Sequence, residues 1–84
     1  MKNLLLFDVD GTICESGQII NLYMVNLLYK LQSKYDIGIV GGGTFEKIIY
    51  QLDNKLKPKY IFSECGSVFY LLENNLYNLI YQNN

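Results

Sequence analysis

Residues 4–12 read LLLFDVDGT: four apolar residues, then two aspartates separated by a valine, then a glycine and a threonine. Residues 3–9 are apolar at positions that would fall on both faces of a strand, which predicts a central parallel strand covered by helices. That strand runs into Asp8 and Asp10. Two carboxylates so close repel each other unless a proton or a metal ion sits between them. In an open α/β sheet the ligand site lies beyond the carboxyl ends of the strands. The stretch therefore predicts both a fold class and a cation.

Working outward, the apolar positions Met24, Leu27, Leu28 and Leu31 recur at helical spacing behind Asn21, a suitable N-cap, and the helix is expected to end near Lys34. IGIV (37–40) predicts a second buried strand, Gly41 to Gly43 a turn, and Thr44 the N-cap of a second helix running to about Leu52. Pro58 precedes a third strand, YIF (60–62). The segments SVFYLL and LYNLIYQ flank Asn74-Asn75, a hairpin signal. The order is βαβαβ plus a hairpin: an α/β fold with three parallel strands, two helices and a C-terminal β-hairpin. One small domain over residues 1–84 is expected.

Composition narrows the chemistry. Half the residues are apolar, the net charge is −1, and all seven basic residues are lysines spread along the chain. Without a basic stripe containing arginine, nucleic acid is not an expected partner. There is no histidine, which excludes imidazole bases and imidazole-ligated metals. Acid–base chemistry then falls to Asp8, Asp10, Asp36, Asp53, Glu15, Glu46, Glu64 or Glu73. Cys14 and Cys65 form no CxxC pair and are expected to be small packed side chains. No segment approaches membrane-spanning length and the first apolar run stops at Asp8, so no membrane association and a cytoplasmic protein are expected. Tyr23, Tyr29, Tyr50, Tyr70, Tyr77 and Tyr81 are expected to pack in the core or on the sheet. Lys55, Lys57 and Lys59 around Pro58 are expected to form a solvated loop.

Asp8 and Asp10 at the end of strand 1, and Gly41 to Thr44 at the end of strand 2, converge on one place. The plain alternatives are a turn at Asp10-Gly11 and a tight strand-to-helix connection at Gly41 to Gly43. Gly11 lies three residues after Asp8, too early for an EF-hand loop. GIVGGGT lacks the P-loop lysine and does not complete GxGxxG. What remains is phosphoryl transfer. A carboxylate at a strand tip attacks phosphorus, a divalent cation offsets the charge repulsion, and a second carboxylate moves the proton. Backbone N–H groups opening the second helix can hold the phosphate oxygens.

FDVDGT resembles the first motif of the haloacid dehalogenase (HAD) superfamily, DxDGT. LLLFDVDGTI, IGIVGGGTFEKI and YIFSECGSVFY resemble, in order and spacing, the N-terminal part of the eukaryotic-type phosphomannomutases. The resemblance spans the chain but only about the first third of such an enzyme. It implies that Asp8 is the nucleophile forming a phosphoaspartate and Asp10 the general acid/base. It also implies Mg²⁺ held by the Asp8 carboxylate and the Asp10 carbonyl, and phosphate contacts from Gly42, Gly43 and Thr44. The implied reaction interconverts mannose 6-phosphate and mannose 1-phosphate, a step in GDP-mannose biosynthesis, with a phosphosugar as partner.

The departures are specific. Where the family has serine and aspartate after its GG pair, this chain has Gly43 and Thr44, so the phosphate-binding hydroxyl is lost or moved to Thr44. Gly17 stands where the family carries a substrate-contacting arginine, and Cys65 replaces the asparagine of F-x-E-N-G. Through Asn84 there is no counterpart of the family's cap domain or its distal Asp-rich magnesium loop. The alternative reading is a truncated, inactive HAD-like remnant that binds phosphate and Mg²⁺ or acts as an interaction module. In either case LLLF (4–7) is expected to expose an unpaired sheet edge suited to self-association or a complementing chain.

Overall fold

The structure, a computed structural model, describes residues 2–83; the ends of the expected 1–84 unit, Met1 and Asn84, lie outside the described residues. The elements follow the predicted order: β1 (Asn3–Asp8), α1 (Leu22–Gln32), β2 (Tyr35–Val40), α2 (Phe45–Leu52), β3 (Tyr60–Ser63), β4 (Val68–Glu73) and β5 (Leu76–Gln82). A short 3₁₀ turn, Glu64–Gly66, joins β3 to β4. Both predicted caps form. The Asn21 side chain accepts from the Met24 N–H at 2.8 Å, and the Thr44 hydroxyl accepts from the Lys47 N–H at 3.2 Å. The helix behind Asn21 stops at Gln32, earlier than expected, where Ser33 bonds back to the Lys30 carbonyl through both its N–H and its hydroxyl. Asn74 and Asn75 both have positive φ, 51° and 65°, which gives the two-residue hairpin a twist matching its strands.

The five strands form one sheet in chain order, β1-β2-β3-β4-β5. β1, β2 and β3 run parallel, with Leu5 beside Ile37 and Ile39 beside Ile61. β4 and β5 add on antiparallel, Tyr70 opposite Ile61. Right-handed crossovers that step twice in the same direction put both helices on the same face. The core accordingly joins Val25 and Leu28 of α1 and Ile48 and Leu52 of α2 to Ile37, Ile39 and Ile61, with Leu5, Phe7 and Tyr70 packed against them.

The other face has no helix among the described residues. It carries Leu4 and Leu6, 43% and 54% exposed, and an aromatic row in which Phe69 stacks on Phe62 at 4.7 Å and on Tyr60 at 5.8 Å. Of the two expectations for the first strand, a central strand covered by helices and an exposed LLLF edge, the second holds among the described residues. β1 is an edge strand, with β2 its partner among the described residues, and its outer leucines lean over Gly38 of β2. An apolar run reports that a strand suits burial, not how many neighbours it has.

Tyr23, Tyr29, Tyr50 and Tyr81 are exposed, contrary to expectation. Tyr70 and Tyr77 do pack, both against Phe45, with ring centroids 4.0 and 5.6 Å apart. Tyr77 donates its hydroxyl to the Pro58 carbonyl at 2.6 Å, and burial pushes its ionisation well above the ordinary tyrosine value. Around Pro58 the lysines lie in a largely exposed loop, as expected, and find partners at its surface. Lys57 donates to Asn75 Oδ1 at 3.0 Å, while Lys55 and Lys59 lie 3.3 and 3.7 Å from Asp53 and Asp36.

Candidate functional site

Asp8 closes β1, and the chain then turns tightly. The Gly11 N–H donates to the Cys14 carbonyl at 2.7 Å and the Cys14 N–H to the Val9 carbonyl at 2.9 Å. Gly11 takes a φ of +80°, a conformation that suits glycine because it has no Cβ. Val9, Ile13 and Ile20 sink into the core, so the loop is anchored on alternating sides while Asp8 and Asp10 stay exposed.

Asp10 Oδ1 accepts two hydrogen bonds, from the Gly17 N–H at 3.0 Å and from Gln51 Nε2 at 2.9 Å. The Gln51 bond, then the Gly17 bond and more weakly the positive charge of Lys47, hold the Asp10 carboxyl below the usual aspartate range. Each favours the charged form, and together they outweigh the opposing effect of burial, which is larger than that of Lys47.

The second half of the site is the turn leading into α2. The Gly41 N–H donates to the Phe62 carbonyl at 3.0 Å. The Gly41 and Gly43 carbonyls accept from the N–H groups of Cys65 and Glu64 at 3.0 and 2.9 Å. The glycine turn is thus fastened to the end of β3. A side chain added at Gly43 would meet the Lys47 stem at 2.9 Å, so Lys47 lies across the turn, and its charge reaches Asp10. The Thr44 hydroxyl is used as acceptor by the helix cap and can still donate. Asp8, Asp10 and Gly42 to Thr44 all fall at the carboxyl ends of the adjacent strands β1 and β2.

Two participants, Gln51 and Lys47, were not foreseen. A glutamine inside an amphipathic helix carries no sequence mark of burial, whereas Lys47 sits in the FEK segment and its proximity to the turn follows from helical spacing. Cys14 is buried as expected, but Cys65 is exposed, because its residue turns outward in the 3₁₀ segment.

Among the described residues no group of three or more acidic, cysteine or histidine side chains could hold a metal. The two donors that the resemblance implies, the Asp8 carboxylate and the Asp10 carbonyl, are oxygens, the ligand type a hard cation takes. The Asp10 carbonyl accepts no hydrogen bond among the described residues. An apolar groove of about 310 Å³ lies elsewhere, between α2 and the hairpin, lined by Phe45, Ile49, Leu56 and Tyr77. It contains no acidic residue and belongs to the packing of the hairpin, not to the carboxylates. No described helix is long and apolar enough to cross a membrane.

Solved structures share this fold. A HAD-superfamily phosphatase from Bacteroides thetaiotaomicron superposes on 98% of the chain with a TM-score of 0.75 and 21% identity, this chain covering 30% of it. An IMP-nucleotidase from Plasmodium falciparum gives a TM-score of 0.73 at 18% identity over 94% of the chain and 26% of its own. At those identities the likeness speaks for the fold.

Sequence relatives narrow it further. Phosphomannomutase 1 from mouse and from human are each 44% identical over 71 residues, covering 80% of this chain and 27% of theirs. A phosphomannomutase from Babesia bovis is 34% identical over 74 residues, 84% of this chain and 30% of its own. The chain thus spans between a quarter and a third of the curated relatives it matches. The family model described as eukaryotic phosphomannomutase matches residues 24–83, from the first helix to the end of the hairpin. With the HAD-like sheet and that match over most of its length, the chain belongs to the eukaryotic phosphomannomutase family.

Proposed function

We propose that this chain carries the nucleophile and the proton-transfer group of a phosphomannomutase-type reaction, the interconversion of mannose 6-phosphate and mannose 1-phosphate. The observation that carries the reading is the meeting of Asp8, Asp10 and the Gly42–Thr44 turn at one end of the sheet in a member of this family.

In this reading an Asp8 carboxylate oxygen attacks phosphorus, the bond from phosphorus to the leaving oxygen breaks, and Asp10 protonates that oxygen. Asp10, now ionised, takes the proton from the sugar hydroxyl that attacks the phosphoaspartate in the return step. The low protonation tendency of Asp10 suits the base role, and substrate charge would raise it for the acid role. The N–H groups opening α2 and the Lys47 ammonium hold the phosphate oxygens. Mg²⁺ would be held by the Asp8 carboxylate and the Asp10 carbonyl, and would supply charge neutralisation for a phosphoryl group. With only two protein oxygens to hold it, its affinity in the absence of phosphate would be low.

A second reading is favoured by Gly17. This residue stands where the resemblance implies an arginine, and its φ of +72° suits glycine. The chain then keeps the phosphate and Mg²⁺ cradle as a binding or interaction module without turnover. One domain, a cytoplasmic setting, and association through the β1 edge and the open sheet face belong to either reading.

Beryllofluoride, a phosphoaspartate mimic, tests the shared core. With Mg²⁺ present, ¹⁹F NMR should show it bound to the wild type and not to Asp8→Asn. Equal binding by both would refute Asp8 as the phosphate-accepting residue. Conversion of mannose 1-phosphate by the wild type then separates the enzyme from the binding module.

A further inference from the structure

Gln51 occupies a core position of α2. It is 2% exposed, and Ile48 and Leu52 beside it are buried. A primary amide in such a place destabilises the fold unless its polar atoms find partners. Its Nε2 donates to the Gln18 carbonyl at 3.1 Å and to Asp10 Oδ1 at 2.9 Å. Both partners only accept, so only the NH₂ end of the amide can face them. Its backbone carbonyl accepts from the Ile20 N–H at 2.7 Å. One residue of α2 therefore grips the loop after β1 at three points, and one of these is the carboxylate itself.

The grip has a chemical consequence. With Gln51 and the Gly17 N–H both donating to Oδ1, that oxygen is committed. Among the described residues nothing donates to Oδ2. An exposed aspartate on a loop would otherwise sample several side-chain rotamers. We propose that Gln51 is a positioning residue for Asp10, holding its carboxylate in one orientation with Oδ1 occupied and Oδ2 free to exchange a proton with substrate. The proposal rests on Asp10 acting as the general acid/base. Replacing the amide by an apolar chain of similar length should leave the helix packed and release the carboxylate.

The test is Gln51→Met, read in two ways. Three-bond couplings about the Asp10 Cα–Cβ bond should report one rotamer in the wild type and an average in the variant. Single-turnover labelling of Asp8 by two phosphoryl donors then separates positioning from mere stability. Acetyl phosphate expels acetate, which needs no proton, whereas an alkyl phosphate expels an alkoxide, which does. Labelling by the alkyl phosphate should fall by about tenfold or more in the variant, with labelling by acetyl phosphate within about twofold of wild type. An equal fall with both donors, or an unchanged Asp10 rotamer, would overturn the proposal. If neither donor labels the wild type, the catalytic reading of Asp8 fails, and the rotamer comparison still decides the positioning. Should Gln51→Met not fold, a scalar coupling across the hydrogen bond from the Gln51 amide to the Asp10 carboxyl carbon decides it in the wild type. Its absence overturns the proposal.

Discussion

The Cys65 N–H donates to the Gly41 carbonyl at 3.0 Å, and Cys65 reaches it from a left-handed backbone with φ 58° and ψ 35°. Glu64 before it and Gly66 after it also have positive φ. Asparagine, which the resemblance implies at this position, tolerates that conformation better than cysteine does. Cys65→Asn should therefore raise stability by about 0.5–1 kcal/mol, seen as a higher urea midpoint at unchanged slope. No change would mean that the Gly41 contact does not depend on the ease of the left-handed turn.

Gly17→Arg restores the family's residue at a φ of +72°. A side chain added there meets nothing within 4 Å, so the cost is backbone strain alone, about 1 kcal/mol. Phosphate binding should tighten at the same time. Denaturation and a phosphate titration on one variant would show both; a stability equal to wild type would mean that the loop adjusts its backbone.

Ser63 is fully buried at the end of β3, and its hydroxyl has no hydrogen-bond partner among the described residues. An unmatched buried hydroxyl destabilises by about 1–3 kcal/mol. Ser63→Ala should thus be neutral to stabilising, by up to about 1 kcal/mol, measured as the shift in thermal midpoint. A clear loss would reveal a partner for the hydroxyl, such as an ordered water.

The two cysteines should differ in reactivity. Burial, and more weakly the charge of Asp10, raise the Cys14 thiol above its ordinary value, whereas Cys65 is exposed. Iodoacetamide at neutral pH should modify Cys65 quickly and Cys14 only on unfolding. The raised value also carries a sign for stability. The protonated Cys14 thiol stabilises the fold fully below the unfolded-state thiol value, and that contribution is lost as pH rises from there through the folded-state value. Cys14→Ala should flatten this alkaline decline.

Leu5 and Leu6 are neighbours with opposite surroundings. Leu5 packs against the core and Leu6 is 54% exposed on the open face. In a solution holding only this chain, a second copy is the occupant available to that face and to the β1 edge. Leu6→Lys should shift light scattering toward the monomer without changing the circular dichroism. Leu5→Lys should destabilise by about 2 kcal/mol or more. A wild type that stays monomeric at high concentration would rule out association through this surface.

What the sequence made legible was local chemistry. Asn21, Thr44 and Asn74-Asn75 each announce a cap or a turn through their own side chains and backbone preferences, and each forms as read. Met24, Leu28 and Leu31 likewise pack on the core at the helical spacing read for α1, whereas Leu27 of that stripe is exposed. Relations between distant segments were not legible. Nothing in Gln51 tells that its neighbours across the core will be a carboxylate and a carbonyl. The outward tyrosines misled for the same reason, since an aromatic side chain suits a packed surface whether or not one is provided.

A sheet whose strand order repeats the chain order has a kinetic consequence. Each strand hydrogen-bonds to the strand made just before it, and no pairing skips over an element that has yet to emerge. During synthesis β2 can dock on β1 as soon as β2 itself has cleared the ribosome, and β3 on that pair in turn. Loop closures stay short at every step, which favours rapid assembly despite the parallel strands. The carboxylate pair and the glycine turn would then come together once the first two strands have emerged.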